Sequence, residues 1–343
     1  MKDKKKFVHL RVRSSFSLLK STNKISDLSK FALDNKQPAI ALTDIFNLFG
    51  AYEFSQEMIE NGIQPIIGVE ISVQDKYGTG EIVLIVKNKQ GYKNLSTLIT
   101  NSLMKIDNNN SPFVLIEDLE QKAEGLILLS GGIKFGYIGV PAAKNNYEIL
   151  NYRTNKLKNI FKDRFYLEIQ RIGLPEEDNF EKNLFDLAKK LKIMLVATNN
   201  CNFLNQAMYE SQKVLHCIAN SELLMNYNYS EISINNYLKS SEEMINLFHD
   251  IPEAIDNTII IAKRCSFLLE KRSPIFPKIG IRNEFNELEK LSKNGLEKRI
   301  SQLKNINNKL KLEDYNDRLS AELSIIGKMG FSGYFLIVYD FIK

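Results

Sequence analysis

PAIALTDIFNLFGAYEFSQEMIENGIQPIIGVEISV, residues 38–73, holds the pattern on which the fold turns. It opens on an apolar run, PAIALT (38–43), passes through an amphipathic stretch over Ala51–Glu60, and returns to a second apolar run, IQPIIGVEISV (63–73). Short apolar, β-branched runs read as strands, and the ten-residue stretch between them reads as a helix. The same alternation extends to both sides. FVHLRV (7–12) reads as a strand, and Ile25–Asn35 as a helix opened by the Ser26/Asp27 region. EIVLIV (81–86), GLILLS (125–130), FYLEIQ (165–170) and IMLVAT (193–198) read as further strands, with helices over Tyr92–Met104 and Glu176–Leu191. Strands separated by helices argue for a parallel sheet, and this many units argue for a closed or nearly closed β/α barrel. Met104–Ser111 is Asn-rich and polar, a surface loop that interrupts the pattern.

Beyond Asn205 the strand pattern disappears. Ala207–Asn220, Ser241–Phe248 and Pro252–Cys265 have helical spacing, SSEEM (240–244) supplies a Ser cap, and Pro252 stands where a helix begins. KRSPIFPKIG (271–280), with two prolines and a glycine, marks a boundary. Three parts are expected: an α/β barrel over 1–205, a helical extension closing the barrel region over 206–270, and a helical segment over 271–343. RLSAELSIIGKM ends at Gly330, a left-handed cap, and SGYFLIVYDFIK (332–343) begins another apolar-rich segment that stops without a stop signal, as a truncated chain would.

Hydrophobic residues make up 44% and charged residues 25%, the balance of a globular protein with a large core. Residues 1–270 carry 32 basic and 32 acidic side chains, and residues 271–343 carry 14 and 9, so the whole net charge of +5 lies in the last segment. A basic segment after a neutral one can face phosphate, although five charges over that length are equally an ordinary solvated surface. Cys201, Cys217 and Cys265 show no CxxC spacing and are expected as free buried thiols. The basic start, MKDKKKFVHLRVRSS, has no apolar stretch of signal-peptide length behind it, and no window approaches 18 apolar residues. The expected location is cytoplasmic, with no membrane partner.

In α/β barrels chemistry gathers where strands end. The strand ends here carry Arg11 and Arg13, Asp44, Glu70, and Asn199–Asn200. Two arginines and two carboxylates facing one cavity would make a real or former site, although Asp44 is also how a turn cap looks and Arg11 how a surface residue looks. A metal centre needs imidazoles and carboxylates in number, and there are three histidines. His9 is placed to share a face with Arg11 and Arg13, while His216 and His249 lie far downstream in helical stretches. No Ser/His/Asp order, Gly-rich phosphate loop or HxH pair is present.

FVHLRVRSSFSLL, PAIALTDIFNLFGAYEF and GIQPIIGVEISV resemble the polymerase-and-histidinol-phosphatase (PHP) domain that opens bacterial DNA polymerase III alpha subunits. LIVKNKQGYKNLSTLIT, LEIQRIGLPEE and LVATNNCNFL continue the likeness. YLKSSEEMINLF, IPEAIDNTIIIAKRC and ELSIIGKMGFSGYFLIVYDFI extend it toward the palm of the same subunit, so it covers essentially the whole chain in order. The resemblance implies a distorted β/α barrel followed by a mainly helical segment leading into a polymerase palm. Its metal-ligand positions fall on Arg11 and Arg13 for the HxH pair, Lys20 for an acidic residue, Asp44 and Ile45 for an Asp-His pair, and Glu70. Glu81, Gly132 and Ile172 stand for a histidine, a cysteine and a histidine, and Asn200 and Asn202 for the closing Asp and His. Only Asp44 and Glu70 keep the family's residue type. A vestigial site of Arg11, Arg13, Asp44 and Glu70 is therefore expected, with no metal and no catalytic residue in this chain, and with the arginines pairing Asp44 and Glu70 in place of the lost cations.

The resemblance also places nucleotidyl transfer, with its Mg ions, in a palm beyond residue 343. It implies a noncatalytic scaffold that docks the proofreading exonuclease and other replicase subunits, with DNA a partner of the complete subunit. The alternative is a metal-dependent PHP phosphoesterase or exonuclease acting on nucleic acid.

Overall fold

A computed structural model describes residues 6–105, 111–226, 232–272, 275, 277, 279–304 and 312–343. Most of the loop expected at 104–111, part of the boundary at 271–280, and residues 1–5 of the basic start lie outside the described residues. The chain divides into two compact units, Met1–Glu270 and Lys271–Lys343.

The first unit is built on a curled sheet. Its strands are β1 (Ala39–Ile45), β2 (Gln64–Asp75), β3 (Gly78–Val86), β4 (Val114–Leu115), β5 (Leu126–Leu129), β6 (Phe165–Ile169) and β7 (Met194–Ala197). They run in the order β1-β2-β3-β5-β6-β7, with the short β4 beside β2. Helices α1 (Ile25–Asp34), α2 (Ala51–Glu60), α3 (Lys89–Met104), α4 (Ile116–Gln121), α5 (Gly139–Ala143), α6 (Tyr147–Phe161) and α7 (Glu177–Leu191) punctuate the strands. α8 (Tyr209–Asn220), α9 (Ser241–Leu247) and α10 (Pro252–Arg264) follow them. β1 is buried on both faces until its last residue, which is why its sequence is a continuous apolar run rather than an alternating one. α1 starts from Lys24 without a side-chain cap, and α9 starts from a reciprocal Ser240–Glu243 capping box. α6 was not expected from the sequence. Its buried set is Leu150, Arg153, Thr154, Leu157 and Phe161, and two polar members blur the helical stripe.

The wholly parallel sheet is corrected. β3 is antiparallel to both β2 and β5, whereas β1–β2, β5–β6 and β6–β7 are parallel. A parallel step needs a crossover, but only Lys76 and Tyr77 separate β2 from β3. Gly78, at φ 108°, takes a conformation in that hairpin that a side chain would resist.

The strand expected at 7–12 is corrected as well. This segment is not part of a ladder, yet it spans the two edges of the sheet. On one side Ala41 and Thr43 of β1 donate to the carbonyls of His9 and Val12, both at 2.8 Å. On the other, Arg13 N donates to Cys201 O at 3.1 Å and Cys201 N to Arg11 O at 3.3 Å. His9 to Val12 is three residues while Ala41 to Thr43 is two, so the segment carries one extra residue and its alternation breaks.

Two apolar layers result. One lies between sheet and helices, with Phe7, Val12, Leu28, Phe54, Leu95, Phe161 and Phe180 among its members. The other fills the lumen of the curl, with Val8, Leu10, Ala39, Ala41, Ile66, Val83, Ile85, Ile127, Leu129, Tyr166 and Val196. Ile261, Ala262 and Cys265, from α10 and just beyond it, join that lumen cluster, so this helix closes one end of it. Thr258 Oγ1 of α10 accepts from Val8 N at 3.1 Å, and Asn257 Nδ2 donates to Leu195 O at 2.8 Å. The three cysteines are free and buried.

The second unit contains α11 (Glu284–Lys304), α12 (Leu312–Lys328) and α13 (Ser332–Ile342), around Leu288, Leu323 and Leu336. Gly330, at φ 71°, ends α12 in the left-handed region expected of it. Among the described residues no single helix is long and apolar enough to cross a membrane.

Candidate functional site

The open end of the lumen is where the parallel strands finish. Along each strand the inward row turns from apolar to polar: Ile66, Gly68, Glu70 on β2; Tyr166, Glu168 on β6, then Gln170; Val196 on β7, then Thr198. The extra residue between His9 and Val12 lets Leu10 and Arg11, neighbours in sequence, both face the lumen.

Arg11 is 2% exposed and is the centre of the site. Its Nε donates to Glu70 Oε2 at 3.0 Å, and its terminal nitrogens reach Glu168 Oε1 at 3.2 Å and Glu81 Oε2 at 3.4 Å. Arg13 donates to the other oxygen of Glu70 and, through its second terminal nitrogen, to Asn202 Oδ1 at 3.3 Å. Glu168 is held further by Gln170 Nε2 at 2.8 Å, the Thr198 hydroxyl, and Gly131 N at 3.1 Å. A Cβ on Gly132 would stand 2.2 Å from Gln170 Oε1 and 3.1 Å from an Arg11 nitrogen, so that position is packed against the network as glycine.

Burial alone would raise the pKa of Glu70, but the guanidinium groups of Arg11 and Arg13 overcome it and hold the carboxyl down to about 2. Burial likewise opposes the charge on Arg11, and Glu70, Glu168 and Glu81 outweigh it, so its pKa is raised. Glu81 is pushed up to about 8 by burial and by the adjacent charge of Glu70, to which it is hydrogen-bonded.

The expected pairing is therefore redistributed. Arg11 and Arg13 converge on Glu70, but neither bonds Asp44. Asp44 accepts from Ser14 N at 2.7 Å, Ser14 Oγ at 2.7 Å and Ser17 Oγ at 2.6 Å. Short hydroxyl donors in the turn after the segment reach it first, and burial raises its pKa despite them.

His9 does not share the arginines' face, because the extra residue lies between them. Its ring packs against Phe7 and Phe31, its Nε2 contacts Lys239 O at 2.7 Å, and its Nδ1 lies 3.5 Å from Cys201 Sγ. Burial pulls His9 down to about 4 and pushes Cys201 up to about 12, so the contact joins a neutral imidazole to a neutral thiol, the opposite of an activated nucleophile. His216 and His249 bond within their own neighbourhoods, to Asn220 and Asn246. Asn199 is buried and donates to Asn235 O and Tyr237 O, outside the carboxylate cluster.

Glu168, Gln170 and Thr198 belong to the site and were not singled out from the sequence. The signal was available: Glu168 is an acid in the middle of the apolar FYLEIQ strand, two residues from Tyr166 on the same face.

Comparison with known proteins follows the same outline. Residues 9–172 match the family described as the PHP domain, and residues 286–343 match the one described as the bacterial DNA polymerase III alpha NTPase domain. The DNA polymerase III subunit alpha of Caulobacter vibrioides is 39% identical over 98% of this chain and 30% of its own length. That of Borreliella burgdorferi is 38% identical over 100% of this chain and 30% of its own length. The chain thus spans less than a third of the relatives it matches. Among solved structures, an amidohydrolase from Chromobacterium violaceum aligns with 57% of this chain and 87% of its own, at 12% identity and a TM-score of 0.42.

Proposed function

We propose that this chain, which corresponds over its whole length to the N-terminal part of bacterial DNA polymerase III alpha subunits and carries their PHP domain, is a noncatalytic scaffold and docking module of a replicative DNA polymerase. One observation carries the noncatalytic half. The positions that the family resemblance gives to metal ligands hold two guanidinium groups of the chain itself, bonded to the carboxylate that would otherwise serve a cation. Residues in this state do not fit a divalent metal. Glu70 has both oxygens taken by arginine, Asp44 has both taken by serine groups, and soft or imidazole donors do not face the cluster among the described residues.

On this proposal the complete subunit performs nucleotidyl transfer on DNA in the cytoplasm, with Mg ions held by acidic residues outside these 343. The PHP-like unit supports that larger fold and docks the proofreading exonuclease and other replicase subunits. The collinear match to the alpha subunit at both ends of the chain supports this over a free-standing phosphoesterase.

Two measurements test it. Titration of the cognate exonuclease subunit against this chain should give saturable binding; absence of binding to both this chain and the full subunit overturns the docking role. Incubation with manganese and phosphoester or single-stranded DNA substrates should give no turnover, whereas turnover abolished by Glu70→Gln would restore the phosphoesterase alternative.

A further inference from the structure

We infer that Arg11 is the closing element of the barrel: it substitutes side-chain bonds across the lumen for the strand ladder that segment 7–13 lacks. Every other neighbouring pair along the curl is joined by a ladder, from eight paired positions between β2 and β3 to two between β5 and β6. Across the seam there is only one bridge pair among the described residues, Val12 with Cys201, and the two contacts with β1 are out of step by one residue. A segment attached this sparsely is open to fraying.

Arg11 sits in the middle of that segment and reaches across to three strands. Glu70 is on β2, Glu81 on β3 and Glu168 on β6, while the backbone carbonyl of Arg11 accepts from Cys201 beyond β7. One planar fork can hold several carboxylate oxygens in fixed directions, which a lysine point charge cannot. The irregularity and the bonding are linked. With regular alternation from Val8 and Leu10, the side chain at position 11 would point away from the lumen, so the residue that breaks the ladder is also what aims Arg11 at the carboxylates. Arg13 makes a lesser version of the same contact, to Glu70 and to Asn202 on the far side of the seam. All of these contacts lie within this unit, so the closing role of Arg11 is independent of whether an exonuclease docks.

Native-state hydrogen exchange on the full chain decides it. The seam amides are those of Arg13, Ala41, Thr43 and Cys201, which donate across it; the reference amides are those of Val69, Ile71 and Leu84 in the β2–β3 hairpin. Arg11→Met should reduce protection of the seam amides at least tenfold relative to the reference amides. Arg11→Lys, which keeps the charge without the fork, should give a smaller loss with the same localisation, and it decides the matter if the methionine variant does not fold. Equal loss at seam and reference amides, or no loss at the seam, overturns the inference.

Discussion

The lumen of the barrel has two ends built from the same strands, and they are held by opposite means. At the end covered by α10, Val8, Leu10, Ala39, Ala41, Ile66, Ile85 and Val196 meet Ile261 and Ala262, and any well-packed apolar set of similar volume would serve there. At the mouth, a step or two further along the same strands, Glu70, Glu168 and Glu81 surround Arg11. There the stability is conditional, because the buried guanidinium of Arg11 and the buried carboxylate of Glu70 are each tolerable only while the other is present. An apolar end degrades gradually under substitution; an ionic end fails when one member is removed.

The sharpest way to break this contrast is Glu70→Ala, which leaves two guanidinium groups facing each other without their shared carboxylate. We expect a loss of about 3–5 kcal/mol in urea denaturation, and a loss below about 1 kcal/mol would show that the mouth is not held by this pair. Ile85→Ala, at the apolar end, should cost roughly 2–5 kcal/mol through lost burial and a residual cavity. Its cost should stay the same as pH falls from 5 toward 2, whereas the cost of Glu70→Ala should shrink over that range, which is the property that separates the two ends. Asp44→Asn removes one charge but keeps an acceptor for the serine donors, so a loss of about 1–3 kcal/mol is expected by thermal or chemical melting. If it matched the loss from Glu70→Ala, Asp44 would have to be counted in the arginine network after all.

The remaining test lies in pH. Glu70 is depressed to about 2, below its ordinary 4.5, so its contribution is present above 4.5 and lost as pH falls through about 2. Glu81 is raised from 4.5 to about 8, so the folded chain holds a proton that the unfolded chain has released. Its contribution is full below 4.5 and lost as pH rises through about 8. Glu81→Gln keeps a hydrogen-bond donor toward Glu70 and removes the titration. Its melting temperature should fall less than that of the parent between pH 5 and pH 9, and parallel curves would assign the proton elsewhere.

Much of this was legible. The apolar runs at 38–43, 63–73, 81–86, 125–130, 165–170 and 193–198 announced the strands, and Arg11, Arg13 and Glu70 could be placed at one mouth because strand ends in such folds converge. Asp44 was placed nearby but given the wrong partner, since Ser14 and Ser17 are ordinary loop residues until the turn brings them onto its carboxylate. Glu168 was passed over because it sits inside a strand rather than at its end.

The type and order of most elements follow from local pattern, because periodicities of 2.0 and 3.6 are set by backbone geometry within a few residues. The same pattern puts charged residues at one end of the lumen. The reversal of β3, the extra residue that turns Arg11 inward, and the meeting of this arginine with Glu168, 157 residues away, arise only when the chain packs. These are choices of partner between distant segments, where the lowest free energy depends on which donors and acceptors burial brings together, and local pattern carries no record of that.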